Sequence, residues 1–145
     1  MNQEKINDTH QINYLTTEMK ALYHQSSLKL GISDSRSIVL YSIYDAGGEC
    51  LLSDVYKKSG ITKQTINSAI RALEADDILY LEQYMGRFKK IILTEKGKDY
   101  TNQTVARLFE AELRTFDTWT REEINTYIRL MKKHADCFRQ QIEKL

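Results

Sequence analysis

The chain has 145 residues, 41% of them hydrophobic and 28% charged, the size and profile of one globular domain with a genuine core, or of one such domain with helical extensions. No apolar run approaches the roughly 18 residues that a membrane span requires. The polar start, with Glu4 and Asp8, lacks the regions of a signal peptide, and Cys50 and Cys137 alone make no disulfide framework, so a cytoplasmic location is expected.

The net charge of +1 does not by itself announce a nucleic-acid partner, although an average can hide a local patch. Proline is absent, which favours a mainly helical chain. From Ile12 an apolar series runs through Leu15, Met19 and Leu22 to Leu30 at helical intervals, and Gly31 stands where a left-handed cap is common. Ser33 is placed to cap a second helix, whose Ile38, Val39, Tyr41, Ser42 and Ile43 are expected to lie deep, and Gly47-Gly48 stops it.

The rhythm then changes. Ser53 is expected to cap a short helix from Asp54 to Ser59, closed by Gly60, and Thr62 to cap the next, with Ile66, Ala69, Ile70 and Leu73 as its apolar stripe. Two strand-like runs follow, Ile78 to Gln83 and Lys89 to Leu93, joined by a turn of Tyr84, Met85, Gly86 and Arg87. Thr94 is expected to start a long helix reaching about Asp117. Thr120 and Glu123 form a capping box, beyond which Ile124, Ile128, Met131, Ala135, Phe138, Ile142 and Leu145 alternate steps of four and three, the seam of a paired helix.

Leu52 to Glu74 therefore reads as a helix-turn-helix. The second helix turns its apolar face inward and displays Lys63, Gln64, Thr65, Asn67, Ser68 and Arg71 early on the other side. Short polar side chains near a helix start can reach base edges, and cations further along can meet phosphates. The same pattern would also suit a merely solvated face. Charge distribution favours the functional reading: Lys57 to Lys98 holds nine basic and five acidic residues, against twelve and fifteen elsewhere. Arg87 at the hairpin tip has the chemistry for a narrow minor groove. The candidate DNA-binding set is Ser53, Thr62, Lys63, Gln64, Thr65, Asn67, Ser68, Arg71, Arg87, Lys89 and Lys90.

The helix-turn-helix, the segment Leu73-Glu74-Ala75-Asp76-Asp77-Ile78-Leu79, the short wing, and Ile91-Ile92-Leu93-Thr94-Glu95-Lys96-Gly97 together resemble the MarR family of winged-helix transcription regulators. The resemblance covers nearly the whole chain and implies a mainly α fold with a small β-hairpin wing. Residues 33–93 would be the winged helix-turn-helix, flanked by a helical dimerisation region of residues 1–32 and 94–145. It places the recognition helix at Thr62 through Glu74 and the wing arginine at Arg87. Met85 stands where the family usually has an aspartate and Ser68 where it often has an arginine, which implies a different hold on the wing and a different base preference. The implied function is a homodimeric, double-stranded-DNA-binding repressor that reads an inverted-repeat operator and is released by a small aromatic or lipophilic effector. Tyr14, Tyr23, Tyr41, Tyr44 and Phe109 are the candidates to line the effector pocket, although core filling is the first expectation for each.

Other chemistries find little footing. His134 and Cys137 have nearly metal-ligand spacing but no further ligands beside them, so no metal or cofactor is expected. Cys50 adjoins Leu51-Leu52 and reads as an inert thiol rather than an oxidant sensor. Nucleophile-elbow, zinc-protease and phosphate-loop motifs are missing, which speaks against an enzyme. The remaining alternative is a winged-helix helical adaptor that binds protein instead of DNA.

Overall fold

A computed structural model describes residues 1–145. Helix α1 (Gln3–Leu30) begins well before the apolar series, because the Asn2 side chain accepts a hydrogen bond from the Glu4 N–H at 2.9 Å and caps it there. It ends at Gly31, as expected. Ile12, Leu15, Met19 and Leu22 are all exposed, and Ser27 is the helix's only buried residue.

Ser33 caps α2 (Asp34–Asp45), its hydroxyl accepting from the Arg36 N–H at 3.3 Å. Val39 and Ile43 are wholly buried as expected, and so is Leu40, which is not among the expected residues, whereas Ile38, Tyr41 and Ser42, expected deep, are half-buried. A nearly continuous apolar run does not show which of its stripes faces inward; the helical repeat allows only one.

A strand that periodicity did not show follows, β1 (Glu49–Leu51), too short to display alternation. It leads straight into α3 (Leu52–Ser59). Leu51 occupies the cap position without a side-chain bond, so Ser53 lies within the first turn and is not the cap. The reason is tertiary: Leu51 is already held extended by pairing with Lys90, and the helix starts directly after it. Gly60, at φ 68°, makes the tight turn that only glycine adopts without strain. Thr62 then caps α4 (Lys63–Ala75), accepting from the Thr65 N–H at 3.3 Å, and Ile66, Ala69, Ile70 and Leu73 are all buried.

The wing strands are β2 (Leu79–Tyr84) and β3 (Phe88–Leu93), antiparallel, in the sheet order β1-β3-β2. Both boundaries differ from expectation. Ile78 is outside β2 because its N–H bonds back to the Leu73 carbonyl at 2.9 Å and closes α4, with Asp77 in the left-handed region at φ 60°. Tyr84 is inside β2, paired with Phe88, so the tip is Met85, Gly86 and Arg87.

Thr94 caps α5 (Glu95–Gln103), its hydroxyl accepting from the Gly97 N–H at 2.9 Å and donating to the Asp77 carbonyl at 2.6 Å. Gly97 passes so close to the end of α4 that an added Cβ would lie 1.8 Å from the Ile78 carbonyl oxygen. The long helix expected from Thr94 to Asp117 is broken at Thr104 into α5 and α6 (Val105–Thr115). The backbone leaves helical geometry at Thr104, at φ −121° and ψ −95°, its N–H bonding to the Thr101 carbonyl at 3.2 Å, and Thr104 and Val105 are both buried there, so packing and not a local breaker accompanies the break.

Thr120 and Glu123 form the expected capping box of α7 (Arg121–Ile142), with reciprocal bonds of 3.1 and 3.0 Å. No α7 residue is buried; Ile128, Met131, Phe138 and Ile142 are exposed along one seam. The chain divides into two compact units, Met1–Leu108 and Phe109–Leu145. The core of the first joins α2, α3, α4 and the sheet, through Val39, Leu40, Ile43, Val55, Ile66, Leu73, Leu79 and Ile91.

Candidate nucleic-acid interface

Helix α4 is anchored by four buried aliphatic side chains, and this fixes which residues it presents outward. At 3.6 residues per turn, Gln64, Ser68 and Arg71 lie opposite the buried stripe. All three are exposed, and the Arg71 guanidinium donates to the Ser68 hydroxyl at 3.5 Å. Thr65 is exposed at one flank, where its hydroxyl meets that of Thr62 at 2.9 Å. Lys63 and Asn67 lie at the other flank, beside α3.

That flank contains a residue the pattern reading passed over. The Tyr56 hydroxyl, from α3, donates to the Asn67 side-chain oxygen, and the Lys63 ammonium lies 5.3 Å from the Tyr56 ring centre. Asn67 is therefore half-buried and tethered, while Gln64 is open. A helix-turn-helix lays its first helix against the start of its second, so a tyrosine on α3 was a findable partner. Ser53, half-buried in the first turn of α3, lies away from the α4 stripe in sequence and in secondary structure.

The wing has its own supports. Gln83 donates its side-chain amide to the Gly86 carbonyl, which ties the tip across to its strand; Met85 adopts φ 40°. Gln83 thus supplies a polar hold beside the position where the resemblance led one to look for an aspartate. Arg87 is exposed, its guanidinium 5.8 Å from the Phe88 ring centre. Lys89 and Lys90 are adjacent on β3 and so point to opposite faces. Lys90 is partly committed, with Glu49 at 3.6 Å and the Tyr84 ring centre at 4.8 Å. Lys89 is exposed and forms no ion pair, which leaves its charge fully available to a phosphate.

The five aromatic candidates for an effector pocket are placed differently from one another. Tyr14 and Tyr23 are exposed on α1, Tyr41 and Tyr44 are half-buried on α2 against the core, and Phe109 is half-buried on α6 in the second unit. An open groove of about 550 Å³ along α7, lined by Ile128, Lys132 and Cys137 among others, contains none of them. Cys137 is exposed, and neighbouring His134 lies 6.3 Å from the Phe138 ring. Burial, with the Asp54 carboxylate adding to it and Lys58 opposing, pushes the half-buried Cys50 thiol up, in keeping with an unreactive thiol. No helix is long and apolar enough to cross a membrane.

Comparison with known proteins bears on this geometry. Residues 30–83 match the model of the MarR family. No match was found among curated protein sequences. Among solved structures, the chain is similar to NMB1585, a MarR family regulator from Neisseria meningitidis, with a TM-score of 0.77, 19% identity and 99% of each chain covered. It is similar to MepR of S. aureus, solved as a DNA complex, at TM-score 0.66 and 20% identity, covering 90% of this chain and 96% of that one. BpsR of Bordetella bronchiseptica, whose DNA binding is regulated by 6-hydroxynicotinic acid, matches at TM-score 0.65 and 21% identity over 86% and 98% of the two chains. Residues 30–83, which hold both helices of the helix-turn-helix and most of the first wing strand, match the MarR family model, and the chain as a whole shares the winged-helix fold of solved MarR-family regulators.

Proposed function

We propose that this protein is a sequence-specific, double-stranded-DNA-binding transcriptional regulator that acts in the cytoplasm as a homodimeric repressor. Residues 33–93 form its DNA-binding part, residues 1–32 and 94–145 its dimerisation region. One observation carries the reading: α4 is clamped by a buried aliphatic face and presents Gln64, Ser68 and Arg71 on the opposite side, on a segment that matches the MarR family. Gln64 has the paired donor and acceptor that adenine requires, Arg71 and Lys89 the charge for phosphates, and Arg87 the form for a minor groove. That MepR has been solved with DNA, on the same fold, supports the assignment.

Self-association is supported by the exposed apolar seams of α1 and α7, which contain Leu15, Met19 and Leu22 on one helix and Ile128, Met131 and Phe138 on the other. A second copy of the chain would cover them. Release by a small aromatic or lipophilic effector is supported by the 6-hydroxynicotinic acid response of BpsR and by the aromatic side chains Tyr14, Tyr23, Tyr41, Tyr44 and Phe109. No catalytic role is proposed. The protein-adaptor alternative has no comparable support.

The test is affinity against salt concentration for a selected operator and a scrambled duplex. Gln64→Ala should weaken the operator by about 1–3 kcal/mol and leave the scrambled duplex almost untouched. Lys89→Ala should weaken both alike and lower the salt slope by about one. If the two variants lose specific and scrambled binding in the same ratio, α4 is a phosphate clamp and not the reader.

A further inference from the structure

An asparagine that reads adenine uses both ends of its amide, the oxygen to accept from the base amino group and the nitrogen to donate to the ring N7. The two ends of the Asn67 amide are not equally at liberty. Its side-chain oxygen accepts from the Tyr56 hydroxyl, and Tyr56 is fixed in turn. Its ring is partly buried against the core, and the Lys63 ammonium lies 5.3 Å from its centre. The bond takes one lone pair of the oxygen and holds that atom toward α3, so the end of the amide directed away from α3 is the NH₂ group, a donor without an acceptor beside it. In the major groove guanine shows two acceptors, N7 and O6, whereas adenine shows one acceptor and one donor.

We propose that Tyr56 is a positioning residue that turns Asn67 into a donor-only base reader, so that the recognition helix selects guanine over adenine at the position Asn67 faces. The proposal rests on the reading of α4 as the recognition helix and deepens it. Tyr56 acts through Asn67, without touching the base.

Selection from a library of random-sequence duplexes by the full chain tests it, with wild type, Tyr56→Phe, Asn67→Ala and the double variant in parallel. The base position at which Asn67→Ala loses its preference is the one Asn67 reads. Wild type should favour guanine over adenine there by roughly fivefold or more, the low end of one good base contact. Tyr56→Phe keeps the ring and its packing but frees the Asn67 oxygen, so the preference should move toward adenine. In the Asn67→Ala background Tyr56→Phe should change no base preference, because its effect has lost its carrier. Adenine preferred by wild type at that position, an unchanged preference in Tyr56→Phe, or no position altered by Asn67→Ala would each overturn the proposal while leaving DNA recognition by α4 standing. Should Tyr56→Phe fail to fold, the guanine-to-adenine ratio of wild type against Asn67→Ala decides alone. If wild type enriches no sequence at all, the DNA-binding reading is what has failed.

Discussion

Gly97→Ala sets two physical rules against each other. Gly97 sits in the first turn of α5, where alanine is intrinsically the better helix former by about 0.5–1 kcal/mol. The added methyl, however, would stand 1.8 Å from the Ile78 carbonyl oxygen and 2.8 Å from its carbon, both backbone atoms at the end of α4. Neither can swing away as a side chain tip does. Relief requires α5 to draw back by more than about 1 Å, and the bonds that join these segments are then strained together: Thr94 N–H to Ile78 at 3.0 Å, and the Thr94 hydroxyl to Asp77 at 2.6 Å. Each is worth about 1 kcal/mol, and an orphaned partner more. Against the propensity gain, the net effect should be a loss of about 2 kcal/mol or more. For a chain of this size that lowers the melting temperature by roughly 4–8 °C, measured by circular dichroism at fixed protein concentration. A Gly97→Ala protein as stable as wild type, or more so, would refute the reasoning and show that helix propensity dominates at this junction.

Three further outcomes are expected. Ile128→Asp with Phe138→Asp, both exposed on the α7 seam, should give monomer or aggregate in analytical ultracentrifugation; a folded wild-type monomer at micromolar concentration would end the dimer model. Two recognition helices related by a two-fold should require half-sites roughly 10 base pairs apart, so inserting about five base pairs at the operator centre should abolish binding in a gel-shift titration; unchanged affinity would exclude that symmetry. The His24 imidazole, 2.7 Å from the Asp34 carboxylate, holds that carboxyl below its ordinary range. A carboxyl whose pKa is lower in the folded than in the unfolded chain gives stability that is present above the unfolded value and lost as pH falls through the folded one. Both side chains are more than half exposed, so the effect is small. Asp34→Asn should lower stability slightly at neutral pH and leave it unchanged at the acid end, so the plot of stability against pH from urea unfolding should flatten on its acid limb; neutral stability equal to wild type would refute this.

What was legible in the sequence was local or periodic. Thr62, Thr94 and Thr120 start helices where they are expected to, because an N-cap needs only a side-chain oxygen and the next turn's N–H groups. The buried stripe of α4, the two-helix motif and the wing followed from intervals along one element. Pairing partners decided the rest. The strand β1 exists because β3 offers it an edge, and that pairing moved the start of α3 ahead of Ser53. The helix break at Thr104 is marked by no glycine or proline; it falls where Thr104 and Val105 are buried, which periodicity along one element does not show. The same holds at the interface. Its polar composition was readable, but that Asn67 is held by Tyr56, eleven positions earlier, and Lys90 by Glu49 across the sheet, while Gln64 and Lys89 stay open, was decided only when α3 met α4 and β1 met β3. A side chain's chemical type is written in one letter; the atoms it has left to offer a ligand depend on which of them its neighbours in space have taken.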